Sequence, residues 1–409
     1  MARKPRNAGG QPPAIPFDDA VHRVTDLRKQ RVASNSEPEN LDLPVDDDIR
    51  ITPGQSSHLL ELIVDGVPVS HATVIDFEQQ IGGLTVRMGG IAGVGTREDQ
   101  RFKGYSRRVL ENSLRFMRRS GCDTSMLFGI SSFYPKYGFA PAFPTVHFTL
   151  AVRDAEMTQA AGFKEVEYSP QYLSHVLKMF NKENAGRTGP IRRDPKTWRP
   201  FRKGVNWQTK AHAVVLLDKR GHAAGYYVYD DTDRLVVLEV GYEKPAVFGD
   251  ILAALAARAW SMRFESFTMI LPPDHLFAEF CKTLGIVMTT HFRSDGEAMV
   301  RMINIPGSLQ RLAPELGARM GGSGCVCIQT NLDSAQIEWS RERLTVSPES
   351  KPGKAVRMPQ WALAQLLYGY NSARALAAAG YIRASAKDID VLQRMFPTTQ
   401  HFFHLVDAF

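Results

Sequence analysis

Val94-Gly95-Thr96-Arg97-Glu98-Asp99-Gln100-Arg101-Phe102-Lys103-Gly104-Tyr105-Ser106-Arg107 is the stretch from which the fold can be read. On its N-terminal side the run from Gly83 to Thr96, rich in Val, Leu, Met and Ile, reads as a strand. On its C-terminal side Leu110, Leu114 and Met117 recur at helical spacing, and Gly121 suits the residue just past a helix end. A strand therefore passes through a basic, glycine-containing turn into a helix. The first N–H groups of a helix lack intrahelical partners and carry partial positive charge, so this turn is a candidate anion site. Gly104 allows the backbone close to a phosphate, and Arg101, Lys103, Arg107 and Arg108 add charge. A plain strand–helix junction with solvated basic side chains explains the same residues, so the turn alone leaves both readings open.

Working outward, Leu59 to Val64 reads as a strand closed by the hairpin signal Asp65-Gly66, with Val67 to Phe77 as the return strand. Ser125 to Ile130 is another short buried strand. A similar succession follows: Val214 to Leu217, a Lys219-Arg220-Gly221 turn, Ala224 to Tyr229, Leu235 to Val240, then a helix from Phe248 to Met262. Strand, strand, strand, helix thus recurs, which points to a degenerate duplication of the first module. The last hundred or so residues supply strands at Cys325–Gln329, Ala335–Trp339 and Arg343–Val346, helices at Gln360–Tyr368 and Ser372–Gly380, and an aromatic tail. Residues 1–50 read as an extension with one helical candidate, Ala20–Val32, between prolines and the acidic run Asp46-Asp47-Asp48.

Composition narrows the classes. At about 100–200 residues per domain, 409 residues suggest two to four domains. Hydrophobic residues at 44% and charged residues at 23% are ordinary for a globular chain. The net charge of +7 is mild and its basic residues are interleaved with acids, so no nucleic-acid partner is expected. No apolar run approaches the ~18 residues of a membrane span, and no membrane partner is expected. Cys122, Cys281, Cys325 and Cys327 are too few for a disulfide framework, and a cytoplasmic setting is the default expectation. Cys325-x-Cys327 with His401-x-x-His404 is not expected to hold a metal ion, so the metal expectation is none.

Two motifs carry a family resemblance. Arg101-x-x-Gly104-x-Ser106 after a strand resembles the pyrophosphate loop, Gln/Arg-x-x-Gly-x-Gly/Ala, of the GNAT superfamily of acetyl-CoA-dependent N-acetyltransferases. Further on, Phe133-Tyr134-Pro135-Lys136-Tyr137-Gly138-Phe139-Ala140-Pro141 is similar to the Tyr-x-x-Phe/Tyr-Gly-Phe/Tyr segment of the same fold. The order of parts resembles the enhanced intracellular survival (Eis) family over roughly residues 50–409, and Arg187-Thr188-Gly189 with Arg192-Arg193 fits that family's middle domain. The resemblance implies an α+β fold of tandem GNAT-like modules, with mixed sheets flanked by helices, followed by a sterol carrier protein-like α+β domain. It implies these limits: extension 1–50, catalytic module 51–151, second degenerate module 152–302, and C-terminal domain 303–409.

It also implies roles. Val94 and Thr96, on either side of Gly95, would hold the thioester carbonyl of acetyl-CoA by their backbone N–H groups. Arg101 and the run Phe102, Lys103, Gly104, Tyr105, Ser106 and Arg107 would hold the pyrophosphate, and Gly129 and Ile130 would lie beside the pantetheine arm. Tyr134 matches the family's general acid, with Tyr137 as a rival, and the Phe409 carboxylate matches its general base. Terminal residues usually fray, but Phe402, Phe403, Leu405, Val406 and Phe409 make a tail apolar enough to dock. The partners implied are acetyl-CoA and an amine acceptor (an aminoglycoside, another small amine or a lysine side chain), within a homo-oligomer, commonly a hexamer in the family. The alternative is a non-catalytic binding protein that holds an apolar ligand in its C-terminal domain. Three departures matter. No helix pair precedes residue 57, Gly129-Ile130 stands where relatives often carry Ser-Glu, and the net positive charge is unlike an acidic aminoglycoside pocket. The acceptor site is therefore expected to be more open or differently built.

Overall fold

The strands form three sheets among the described residues. The structure, a computed structural model, describes residues 38–130, 132–348 and 355–409, so the helix expected at Ala20–Val32 lies outside the described residues. The first sheet contains β1 (Ile49–Pro53), β2 (Ser57–Val64), β3 (Val67–Ile81), β4 (Leu84–Thr96), β5 (Thr124–Gly129), β6 (Ala140–Pro141) and β14 (Glu297–Met302), in the order β1-β2-β3-β4-β5-β14-β6. Asp65 and Gly66, at φ 50° and 77°, make the tight turn between β2 and β3. The second sheet runs β13-β7-β12-β11-β10-β9-β8. Its strands are β7 (Thr145–Ala151), β8 (Lys164–Glu167), β9 (His212–Leu217), β10 (Ala223–Asp230), β11 (Val236–Tyr242), β12 (Ser266–Met269) and β13 (Ile286–His291). The third holds β15 (Gly324–Gln329), β16 (Ser334–Trp339), β17 (Leu344–Ser347) and β18 (Val356–Arg357), in the order β17-β16-β15-β18.

The sheets cut across the expected module boundaries. β7 precedes the limit at 151 but pairs with β12 and β13 in the second sheet. β14, expected in the second module, instead pairs with β5, Met299 opposite Leu127, and with β6 in the first. Alternation along a strand reveals which of its faces is buried but not which strand lies beside it. β1, at the end of the stretch read as an extension, is an addition to the reading.

Helix α1 (Tyr105–Arg119) buries Val109, Leu110, Leu114 and Met117 against Leu60, Leu62, Val74 and Ile91 on one face of the first sheet. The second sheet packs Val237, Phe267 and Tyr227 against Ile251, Leu252 and Leu255 of a helix spanning Phe248–Ser261. The C-terminal domain covers another part of the first sheet, where Leu363 and Leu366 join Met88, Met126 and Val300 in one core. A polar seam fixes that docking. The Gln360 amide donates to the Gly138 carbonyl at 2.7 Å and accepts from the Met302 N–H at 2.8 Å, and the Tyr368 hydroxyl donates to Gln79 Oε1 at 2.6 Å.

Two segments distant in sequence complete the arrangement. β2 pairs only as far as Ile75 on β3, and residues 189–192 cover the edge beyond it. There Gly189 N–H donates to Gln80 O, Gln80 N–H to Pro190 O, and Arg192 N–H to Glu78 O, each at 2.8 Å. The next residue, Arg193, is fully buried and reaches both Glu239 on β11 (2.5 Å) and Asp407 in the tail (2.9 Å). Tyr226 Oη donates to Glu239 at 2.8 Å, Trp198 Nε1 donates to Asp407 at 3.0 Å, and His404 Nδ1 lies 3.2 Å from Glu239. Burial disfavours the Glu239 charge, but Arg193 outweighs it and holds the carboxyl well below the usual range.

Removing one partner of such a network strands the others as buried charges. Arg193→Met is expected to cost about 3–5 kcal/mol in urea unfolding, whereas Arg374→Ala, which opens an exposed pair with Asp390, is expected to cost under about 1 kcal/mol. Equal losses would contradict the assigned role of the network.

Candidate active site

The centre of the candidate site is the place where two parallel strands part. β4 and β5 pair from Met88 with Thr124 to Ile91 with Leu127, after which β4 runs on to Thr96 and β5 to Gly129 without pairing to each other. The β3–β4 register slips by one between His71 and Thr73, with Gly93 at φ 56°. A bulge of this kind bends a strand and re-aims its backbone. Val94, Gly95 and Thr96 follow it, half-exposed, with the Ser70 hydroxyl donating to the Gly95 carbonyl at 2.9 Å.

The turn beyond is open to an anion. Gly104, at φ 79°, precedes α1, and no side chain caps the helix. The N–H groups of the first turn therefore have no side-chain acceptor. Arg101, Phe102, Lys103, Gly104 and Arg107 are exposed, and Tyr105 and Ser106 are half-buried. Phe102 has left-handed backbone at φ 65° with its ring wholly in solvent. Arg108 does not add to this cradle: Asp46 and Asp48 hold its guanidinium at 3.2 and 2.9 Å. Its place on the helix carries it toward the loop before β1, a neighbour that local spacing does not reveal.

On the β5 side, Tyr134 packs its ring on Gly129, where an added Cβ would stand 2.7 Å from Tyr134 Cδ2. Ile130 is largely exposed. Burial raises the Tyr134 phenol above its ordinary value, and neighbouring Tyr137 adds to the effect, so Tyr134 stays a protonated donor at neutral pH. Tyr137 is more buried, which makes it less available to a reacting group; burial raises its phenol too, with nearby Arg107 opposing the shift.

The tail reaches the other side of the same strands. The Phe409 ring lies 4.9 Å from that of Phe77 on β3 and 5.6 Å from that of Phe128 on β5, and covers Gly90 on β4. Sequence reasoning missed His71. Its imidazole lies over Gly95, where a Cβ would come within 2.7 Å of the ring. A single histidine in an alternating strand gives no signal of its own; only the bulge brings it opposite Gly95. Among the described residues, no group of three or more His, Cys, Asp or Glu is placed to hold a metal ion.

The seat of Phe409 depends on the missing side chain at position 90. In Gly90→Ala the new Cβ would stand 2.7 Å from the Phe409 ring and 2.8 Å from that of Phe77. The variant is expected to lose about 1–3 kcal/mol by overpacking and to expose the tail to faster carboxypeptidase trimming. Unchanged stability and trimming would show that the ring does not sit there.

Comparison with known proteins agrees with this geometry. Residues 55–142 match the family model of the acetyltransferase (GNAT) domain, and residues 328–404 match the sterol carrier protein domain. No curated protein is similar enough to the chain to match it. Among solved structures, a conserved Enterococcus faecalis V583 protein named a probable N-acyltransferase is similar at a TM-score of 0.71 and 16% identity, over 87% of this chain and 90% of that one. A GCN5-related N-acetyltransferase from Anabaena variabilis is similar at 0.66 and 15%, over 87% and 90%. Eis1 from Mycobacterium abscessus is similar at 0.61 and 15%, over 86% and 90%. At such identities the likeness shows a shared fold. Together the two domain matches make this chain an enzyme built on a GNAT acetyltransferase domain, with a sterol carrier protein domain at its C-terminal end.

Proposed function

We propose that the protein transfers an acetyl group from acetyl-CoA to a primary amine by direct attack, in the manner of the Eis-type enzymes its order of domains resembles. The observation that carries this reading is the parting of β4 and β5 between an uncapped helix start and the half-buried Tyr134. The first-turn N–H groups of α1, with Arg101, Lys103 and Arg107, suit a pyrophosphate. The open backbone of Val94–Thr96 and the stretch Gly129-Ile130 suit the thioester end and the pantetheine arm.

In this reading the amine nitrogen forms a bond to the carbonyl carbon as the carbon–sulfur bond breaks. The substrate ammonium first gives a proton to the Phe409 carboxylate, and the free amine then attacks; the leaving thiolate takes the Tyr134 proton, and the second proton shed by the nitrogen restores the Tyr134 phenol. A phenol held above its ordinary value by burial stays protonated until the thiolate forms beside it, and a thiolate is basic enough to draw on that proton. A terminal carboxylate near 3.5 is a weak base for an ammonium near 10, a gap of roughly 6 units that desolvation in the cleft narrows from both sides. His71, over Gly95, is a second candidate for that proton, favoured by its closeness to the bulge. The packing of Leu363 and Leu366 into the core shared with the first sheet supports a positioning role for the C-terminal domain over the alternative of an apolar-ligand carrier.

Tyr134→Phe is expected to lower kcat by about 10²-fold, while Tyr137→Phe stays within a few-fold, in a thiol-release assay with saturating acetyl-CoA. The reverse order would transfer the acid's role to Tyr137. Appending residues after Phe409 is expected to abolish turnover and leave acetyl-CoA affinity by calorimetry unchanged. Full turnover in that variant, with loss in His71→Ala, would transfer the base's role to His71.

A further inference from the structure

Behind Phe409 the first sheet, the covering segment and the tail enclose a cleft of about 1150 Å³. Its walls are the β3 edge at Ile75–Glu78, residues 191–203 and the last four residues. Several of its ionisable groups are already matched: Arg193 by Glu239 and Asp407, Arg192 by Glu78 at 3.0 Å, and Asp76 faces His58 at 3.5 Å. Among the described residues, Arg87, Arg199, Arg202 and Lys203 have no carboxylate within ion-pairing distance, and the exposed Asp194 accepts from the Lys196 N–H but meets no cation. Arg199 and Arg202 are exposed and Lys203 is half-buried.

Lys203 is held in place. Its Nζ lies 3.2 Å from the centre of the exposed Trp207 ring and donates to the Ala408 carbonyl at 3.1 Å, one residue from Phe409. Trp207 in turn meets Phe128 edge-on at 6.4 Å, and Phe128 meets Phe409. Burial and the neighbouring Arg202 push the Lys203 ammonium down to about 8, which still leaves it mostly charged at neutral pH. Against the carboxylates of Asp194 and Phe409, the four unpaired cations leave the wall net positive, which attracts an anion and repels a polycation.

We infer that this cleft receives the anionic group of the acceptor itself: the amine to be acetylated carries a carboxylate or phosphate, bound by Arg199, Arg202 and Lys203, and is not a polycation of the aminoglycoside type. The inference rests on the acetyl-transfer reading above and names its substrate class. Phe77 and Phe409 line the same cleft as those cations, and the Phe409 ring packs on Phe128 of β5, so such an acceptor would lay its carbon chain along the rings.

The test compares thiol release from acetyl-CoA with γ-aminobutyrate, phosphoethanolamine, butylamine and neomycin. It uses the untagged full chain and the double variant Arg199→Glu/Arg202→Glu, with Arg374→Glu as a remote charge control. Both substitutions of the double variant replace exposed side chains. The expected result is a kcat/KM for at least one anionic amine about tenfold or more above that of butylamine, the scale of one charge-assisted hydrogen bond. That ratio is expected to fall with added salt and to collapse in the double variant but not in the control. The better of γ-aminobutyrate and phosphoethanolamine identifies the anion. Equal or better turnover of butylamine or neomycin, or a ratio that survives charge reversal, would overturn the inference. If no amine releases thiol, the acetyl-transfer reading fails by itself. The anion site is then judged by calorimetric binding of the two anionic amines, where binding lost on charge reversal supports it and absence of binding overturns it.

Discussion

The buried guanidinium of Arg193 is the interaction on which the candidate site depends. It joins three parts of the chain that no local rule brings together: the segment covering the β3 edge, the second sheet through Glu239, and the tail through Asp407. Each of these ions would be expensive to bury alone, and together they satisfy one another with Tyr226, Trp198 and His404 as neutral or titratable neighbours. Its guanidinium also lies 3.5 Å from the Phe180 ring centre and 4.3 Å from that of Trp198, so its faces as well as its N–H groups are used. Apolar residues of the same volume would also fill the space. What the charges add is direction, because Asp407 has one place to go and Phe409 is two residues beyond it.

From that anchor the rest follows by geometry. With Asp407 fixed, the Phe409 ring falls on Phe77, Gly90 and Phe128, three neighbouring strands of the first sheet. The same strands part a few residues later, at the bulge that leads to Val94–Thr96 and to the turn before α1. The C-terminal domain reinforces the arrangement from behind through Gln360, Tyr368 and their partners on the first module. The apolar residues of that domain thus lie in one core with those of the first sheet.

Much of the local structure was legible before any coordinates. β2 to β5 and α1 announce themselves through period-two and helical spacing, with Asp65-Gly66 and Gly121 as punctuation. The basic turn was legible for the same reason, since strand, glycine and helix start are adjacent in sequence. What could not be read was pairing at a distance. The exchange of β7 and β14 between the two sheets has no local signature, nor does the covering of the β3 edge by residues 189–192. β1 was hidden by its shortness and its terminal proline. Arg193 and Asp407 were visible as residues but not as partners, because a buried ion network is defined only by what surrounds it. His71 was passed over and Arg108 misjudged for the same reason, each being placed by a neighbour from another strand or loop.

Whether the parted strands and the uncapped helix start work as an acetyl-transfer site is decided by cofactor binding and amine-dependent turnover. Calorimetric titration of the untagged chain with acetyl-CoA, followed by thiol release over a panel of amines, tests it most directly. The account predicts saturable binding at one site per chain and thiol release that depends on the amine. Absence of binding, or thiol release indifferent to every amine, would contradict it and leave the likeness to acetyltransferases one of fold alone.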